Sequence, residues 1–441
     1  MTTPDPSVLA ARALAIAIET AGKDAAVTID VFHRGAANVR FARNEPTTSG
    51  EADETQVAIE LALGRRVATS STNQSDDASL RALAARVLQM AKLAPEDPEH
   101  MPLLPPQTYA SVPSAYDNTL AAMGPKERAA IAARAIARAD EAKVRVAGFF
   151  ERAASERVIQ TSTGLVARHS ATDASYTVTA RTADDTGSGW AGREAHRVVD
   201  IEDDVLATSA IDRAVRSAQA KPLPPGKYTV VLEPQAVFEM VAFMIGQMNQ
   251  RAADEGRVFF ANKVGKKLFP DFMSLRSDPA SRLTPGAPFD GEGFPLAAHP
   301  WVSEGKVGKL SVSRYWAEKK GLEATGSSSV FALSGGRAET TEELVRGTKR
   351  GLLITRFWYI RMLEPQTITV TGLTRDGVFL IENGKITTPV ANFRFNESPV
   401  TMLKNTEAMT RTTTRVVAGS VWQMPALRTH DFTMASPSAA V

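Results

Sequence analysis

A proline-packed break, Lys221-Pro-Leu-Pro-Pro225-Gly226, divides the chain into two stretches of different character. Proline fixes its own φ, lacks an N–H and keeps the residue before it out of the helical region. Neither a helix nor a central strand runs through such a segment. Upstream of it, helical and strand-like patterns alternate; downstream, helices thin out and short β-like runs dominate. The reading is α+β, with an N-terminal domain over residues 1–220 and a β-rich C-terminal domain over 227–441. With 441 residues, 43% of them hydrophobic, the chain is long enough and apolar enough for two cores.

In the upstream half a helix–strands–helix order recurs. Residues 7–21 carry Leu9, Ala13 and Ile16 at helical spacing, with Ser7 as cap and Gly22 as stop. Residues 27–32 and 38–42 alternate like strands about a turn at Arg34-Gly35, and 57–63 and 67–70 add two more. Asp76-Asp77 opens a helix to Leu93 whose apolar stripe is Leu80, Leu83, Val87 and Met90. Prolines then crowd residues 95–106 into a stiff linker. Pro125 starts a helix to about residue 143, strands follow at 144–150, 158–161 and 176–181, and an acid-capped helix spans 203–218. The second set follows the first by roughly 120 residues, and a duplicated unit is one reading of that recurrence. Beyond the break, a strand at 228–232 leads into an apolar helix over 235–250. Further strands are expected at 310–312, 367–371, 378–381, 393–395 and 412–417.

Composition excludes several functions. The 51 basic and 49 acidic residues leave a net charge of +2 with no run of Lys or Arg, so no long-range field draws in nucleic acid or an anionic membrane. No cysteine is present, which rules out disulfides, thiolate nucleophiles and Cys-ligated metal. The histidines, His33, His100, His169, His196, His299 and His430, include no pair three or four apart, so no helix offers two imidazoles to zinc. They read as surface or hydrogen-bonded residues. Neither a Gly-x-x-x-x-Gly-Lys phosphate loop nor a Gly-x-Ser-x-Gly elbow occurs. No uncharged apolar window is long enough to span a membrane. Residues 1–25 carry Asp5, Arg12 and Glu19 and read as a helix rather than a secretion signal, which places the chain in the cytoplasm.

Three segments invite a functional reading. Gly187-Ser-Gly189-Trp-Ala-Gly192 has dinucleotide-loop spacing, but Trp190 sits inside it and no helical stripe follows, so its glycines read as a turn passing close to another backbone. Phe289-Asp-Gly-Glu-Gly-Phe-Pro295 reads as a structural turn ahead of a cation loop, because two acids make a poor calcium cage. Over residues 344–362, Arg346, Lys349, Arg350, Arg356 and Arg361 interleave with Phe357, Trp358 and Tyr359. The first reading is a buried strand with solvated flanks. Binding of a peptide carboxylate comes next and nucleic acid last. Arg350, Arg356 and Trp358, with Glu382 and Asn383 further on, are the candidate peptide contacts.

The order of segments resembles the TldD/PmbA family over nearly the whole chain. The resemblance is carried by Gly64-Arg-Arg-Val-Ala-Thr-Ser-Ser-Thr-Asn73, Ala94-Pro-Glu-Asp-Pro98, the acidic turn at 289–295 and Ala317-Glu-Lys-Lys-Gly-Leu-Glu-Ala-Thr-Gly326. Most specific is Asp376-Gly-Val-Phe-Leu-Ile-Glu-Asn-Gly-Lys-Ile-Thr-Thr-Pro-Val390. TldD members carry a helical His-Glu-x-x-x-His zinc motif after a strand ending in Val-Val-Leu, and a cysteine ligand further on. Aligned on Val230-Val-Leu232 and Pro234, those positions hold Ala242, Phe243 and Gln247 here. The resemblance therefore implies a PmbA/TldE-like, non-catalytic subunit with no metal or cofactor of its own. Zinc and catalysis would belong to a TldD-like partner, and the heterodimer would act on small or unfolded peptides. The alternatives are a stand-alone peptide-binding homodimer and a hydrolase with an unrecognised site.

Overall fold

The computed structural model describes residues 5–438; residues 1–4 and 439–441, at the outer ends of the two expected domains, lie outside it. The first helix, α1 (Pro6–Ala21), is capped by Asp5 and not by Ser7. The Asp5 carboxylate accepts the N–H of Ser7 at 2.7 Å and of Val8 at 3.3 Å. Pro6 then takes the first helical position, where a missing N–H costs nothing. Gly22, at φ 87°, ends the helix as expected. A long hairpin follows, β1 (Ala26–Ala42) and β2 (Glu45–Leu63), then β3 (Arg66–Thr72) and α2 (Asp77–Leu93) with Asp76 as its cap. The turn expected at Arg34-Gly35 is absent. Gly35 sits mid-strand, opposite Asp53 on one side and Ala154 on the other, and two ladders outweigh the turn preference of a dipeptide. The real turn is Arg43-Asn44, both at positive φ as a tight hairpin demands. Leu80, Leu83 and Val87 are buried, but Met90 is exposed and leaves the stripe assigned to it.

The second unit repeats the first. A single turn, α3 (Asn118–Ala121), precedes α4 (Pro125–Glu141), β4 (Val144–Thr161), β5 (Val166–Thr182), β6 (Ser188–Ala195) and α5 (Asp203–Ser217). The expected strands at 144–150 and 158–161 are one strand. No side chain caps α5, and Glu202 before it is left-handed, so the acid cap does not form. The glycines that imitate a dinucleotide loop lead into and run along β6, not a turn. They do serve close approach: a Cβ on Gly189 would lie 2.1 Å from the carbonyl oxygen of Ala210, and one on Gly187 2.1 Å from that of Ala214.

The six strands form one antiparallel sheet in the order β3-β2-β1-β4-β5-β6. β1 and β4 meet at its centre, paired from Thr28 with Thr161 to Ala42 with Ala147. The two units are thus related by a pseudo-twofold at that seam. Side chains alternate along a strand. Val27, Ile29 and Val31 of β1 pack under α1 and α2, while Val39 and Phe41 pack under α4 and α5, so all four helices cover the same face. On the other face, Ile159 and Ala167 pack with Phe289, Leu104 and Tyr109. The proline-rich segment 94–112 contains no helix or strand and straps across to the second lobe. Arg251 holds Glu99 through two hydrogen bonds of 2.7 and 2.8 Å, and the Tyr109 hydroxyl donates to the Gly293 carbonyl.

The C-terminal lobe begins with β7 (Gly226–Leu232), α6 (Pro234–Ile245) and α7 (Gln250–Asp254). Next come β8 (Ser274–Ser277), β9 (His299–Ser303), β10 (Lys306–Val307), α8 (Arg314–Lys320), β11 (Phe331–Ser334) and α9 (Thr341–Arg346). They are followed by β12 (Arg350–Glu364), β13 (Thr369–Glu382), β14 (Lys385–Pro389), β15 (Phe393–Glu397) and α10 (Pro399–Lys404). The chain closes with β16 (Thr406–Met409), β17 (Thr414–Arg415), β18 (Trp422–Met424) and β19 (Leu427–Pro437). β12, β7, β19, β15 and β13 pair in a ring, with β12 against β7 the one parallel ladder. The result is a small closed barrel. Phe357, Phe395 and Phe432 fill it, with ring centres 4.5, 5.6 and 5.7 Å apart. A second sheet, β10-β9-β8-β11-β18-β17, stands beside it, and α6 contributes to their shared core.

Three expectations for this lobe need correction. The helix expected over 235–250 stops at Ile245, where Gly246 ends it and a turn leads into α7. Residues 310–312 make only an isolated bridge, Ser311 to Asn249, and 412–417 shrinks to two residues. The acidic segment at 289–295 is a turn closed on itself: the Asp290 carboxylate accepts the N–H groups of Glu292 and Phe294. The molecule is α+β throughout. Among the described residues no helix is long and apolar enough to cross a membrane.

Candidate functional site at the seam between the lobes

β7 delivers the chain to α6 where β6 and α5 of the first lobe meet the barrel. Ala236, Val237, Met240, Val241 and Met244 bury one side of α6. Its only acid, Glu239, turns to β12: the carboxylate accepts the backbone N–H of Phe357 and, at 3.2 Å, the side-chain N–H of Gln235. Arg356 Nη2 stands 3.6 Å from Glu239, and its Nη1 3.9 Å from Asp376. Asp376 in turn accepts the Ser188 hydroxyl at 2.6 Å, which ties β6 to β13. The Arg356 guanidinium carbon lies 4.2 Å from the centre of the Trp190 ring and 5.1 Å from that of Trp358. Arg375 covers Trp358 as well, at 4.9 Å. Burial pushes the Glu239 carboxyl up to about 7, against the opposing pull of Arg356.

Beside this cluster lies a cavity of about 410 Å³, bounded among others by Trp190, Arg193, Arg213, Gln235, Thr355 and Arg415. Its walls are stitched by polar contacts within and between the lobes. Arg213 donates to Glu233 and, at 2.7 Å, to the Trp190 carbonyl. Glu194 accepts the N–H groups of Ala418 and Gly419, and Gln235 exchanges two hydrogen bonds with Val417. Burial raises both Glu194 and Glu233 above the ordinary carboxyl range. It also drives His196 down to about 4, helped by the Arg415 charge.

The structure divides the candidate peptide contacts into two groups. Arg356 and Trp358 belong to the seam cluster. Arg350 and Glu382 face each other across β12 and β13, and Asn383 occupies the turn after β13 at φ 48°, its N–H bonded to the Lys349 carbonyl. Six residues of strand, roughly 20 Å at 3.3 Å per residue, separate Arg350 from Arg356. The sequence reading missed Glu239, Trp190 and Asp376. Glu239 alone left a signal, as the one acid in an apolar helix.

The positions that would carry the zinc motif lie on and just beyond α6. Ala242 and Phe243 are one turn past Glu239 and pack against the lobe's core, while Gln247 lies in the turn beyond the helix end. A methyl group, a phenyl ring and an amide do not make a zinc site. Among the described residues no group of three or more His, Cys, Asp or Glu is placed to hold a metal ion. The residues present do not fit the metal, and no chemistry here runs through one.

Comparison with known proteins agrees with this architecture. The models for PmbA/TldA metallopeptidase domain 1, central domain and C-terminal domain match residues 36–91, 118–220 and 225–436. A metalloprotease of Methanothermobacter thermautotrophicus is 25% identical over 239 residues, 50% of each chain. One of Methanocaldococcus jannaschii is 25% identical over 209 residues, 46% of this chain and 42% of that one. The chain thus spans about half the length of the curated relatives it matches. Among solved structures, TldE of Thermococcus kodakarensis superposes with a TM-score of 0.87 at 16% identity, covering 96% of this chain and 99% of that one. A protein from Bacteroides thetaiotaomicron, described as a proposed modulator of DNA gyrase, gives 0.85 at 21%, covering 98% and 100%. With all three family models matched in order along the chain, this protein belongs to the PmbA/TldD metallopeptidase family.

Proposed function

We propose that the chain is a metal-free, PmbA/TldE-like subunit that joins a TldD-like zinc subunit in a cytoplasmic peptidase for small or unfolded peptides. The observation that carries this reading is α6 and the turn after it, where Ala242, Phe243 and Gln247 stand in place of the zinc motif in a chain without cysteine. The relatives named metalloproteases and the fold shared with a TldE support it. On this reading the chain contributes walls and peptide contacts, and the partner contributes the activated water. An extended peptide would add to a sheet edge. A closed barrel has no free edge, so such pairing falls to outer strands of the open sheets.

An unstructured fluorogenic peptide tests this. The purified chain should bind no stoichiometric zinc and leave the peptide intact. The mixture with a TldD-like subunit should cleave it, and a chelator should stop the cleavage. Chelator-sensitive cleavage by this chain alone overturns the proposal.

A further inference from the structure

Arg356 is held in an unusual way. Its side chain is 12% exposed, yet it makes no hydrogen bond among the described residues, and its Nε is buried without a partner. Its two nearest carboxylates stay at 3.6 and 3.9 Å, outside hydrogen-bond reach. A guanidinium carries five N–H donors, and a buried donor without an acceptor is costly. Besides these two ion pairs, Trp190 and Trp358 both lie within cation–π range of its guanidinium carbon. Glu239 and Asp376 offset the charge of the guanidinium without bonding it, so its N–H donors keep unused hydrogen-bonding capacity. Those donors are what arginine uses to take up a carboxylate through two parallel hydrogen bonds.

Position adds the second half of the argument. Arg356 touches α6 at Glu239, and residues three and four further along a helix share a face. Ala242 and Phe243 therefore lie one helical turn from the arginine on that same side. Of the two tryptophans, Trp190 is buried and Trp358 half-exposed, so Trp358 is the one on the solvent side.

We propose that the Arg356 guanidinium, within cation–π range of both Trp190 and Trp358, is a receptor for the C-terminal carboxylate of an extended peptide. The proposal rests on the peptide-binding reading above and names the end of the peptide that this chain grips. It sets a direction: the C-terminus docks at Arg356. An Asp or Glu side chain offers the same chemistry, so the test must separate the two sources.

Calorimetry with three ten-residue unstructured peptides does so. One has a free C-terminus and no acidic residue, the second is its C-terminal amide, and the third is the amide with one internal Glu. The free acid should bind on the order of 10- to 100-fold more tightly than the plain amide, as for a charge-assisted pair. The internal Glu should recover little of that difference. Arg356→Met should erase the discrimination between acid and amide; Arg356→Lys should restore part of it. Trp358→Leu, at a half-exposed position, repeats the test in a variant with little folding risk, and should cut the acid's advantage several-fold. Equal binding of acid and amide to the wild-type protein overturns the carboxylate receptor while peptide binding stands. Full recovery by the internal Glu overturns the C-terminal assignment. Discrimination that survives in Arg356→Met overturns the role of Arg356. If neither acid nor amide binds, the peptide-binding reading falls and the receptor falls with it.

Discussion

Glu239 concentrates the chemistry of the seam in one side chain. Its carboxyl is raised to about 7 from an ordinary value of 4.5, because burial penalises the charged form more than Arg356 and the Phe357 N–H favour it. A folded-state pKa raised above the unfolded one gives a contribution that is full below about pH 4.5 and is lost as the pH climbs through 7. Glu239→Gln keeps an acceptor for the Phe357 N–H and removes the titration. Relative to wild type, its unfolding free energy should therefore improve between pH 5 and pH 8, by on the order of 1–3 kcal/mol. Urea unfolding at both pH values measures this, and a difference independent of pH counts against the shift. At this scale the sequence was legible in part. Arg356 and Trp358 stood out as a cation beside an aromatic ring. Trp190 and Asp376 did not, because only the folded chain brings β6 and β13 against β12.

Secondary structure elements were read more accurately as types than as lengths. Helices announced themselves through apolar spacing and through Asp76, Pro125 and Gly22 at their ends. The long strands were broken up because residues such as Arg34-Gly35 favour turns in isolation, and a neighbour on each side overrides that preference. β6 was missed for the opposite reason. Its glycines are poor strand formers, and they are there so that α5 can lie flat on the sheet. Gly189→Ala should lower stability by about 2–4 kcal/mol, since its Cβ would meet backbone atoms of α5 at 2.1 and 2.5 Å. Gly35→Ala, whose Cβ meets nothing within 4 Å, is the control and should be close to neutral. Denaturant midpoints compare the two. If Gly189→Ala is as stable as Gly35→Ala, α5 does not lie against β6 as described.

At the scale of the whole molecule, the strands before and after the prolines at 221–226 belong to different sheets, and the barrel beyond them could not be foreseen. Its closure depends on β7 and β12 pairing in parallel from distant parts of the chain, and no local pattern encodes that. A subunit of the proposed kind should dimerise, with an obligate interface burying more than about 2,000 Å². Light scattering at micromolar concentration, with and without a TldD-like chain, reads this directly, and a monomer in both cases contradicts it. The seam where β1 meets β4 carries a different consequence. The two halves of the six-stranded sheet are joined by a ladder that runs nearly the full length of both strands, whereas the covalent path between them is the irregular segment 94–112. The ladder, and not the covalent link, is thus what keeps the two halves together in the folded molecule. A single proteolytic nick in that segment should yield two fragments that migrate as one species on a native gel and part company only in denaturant.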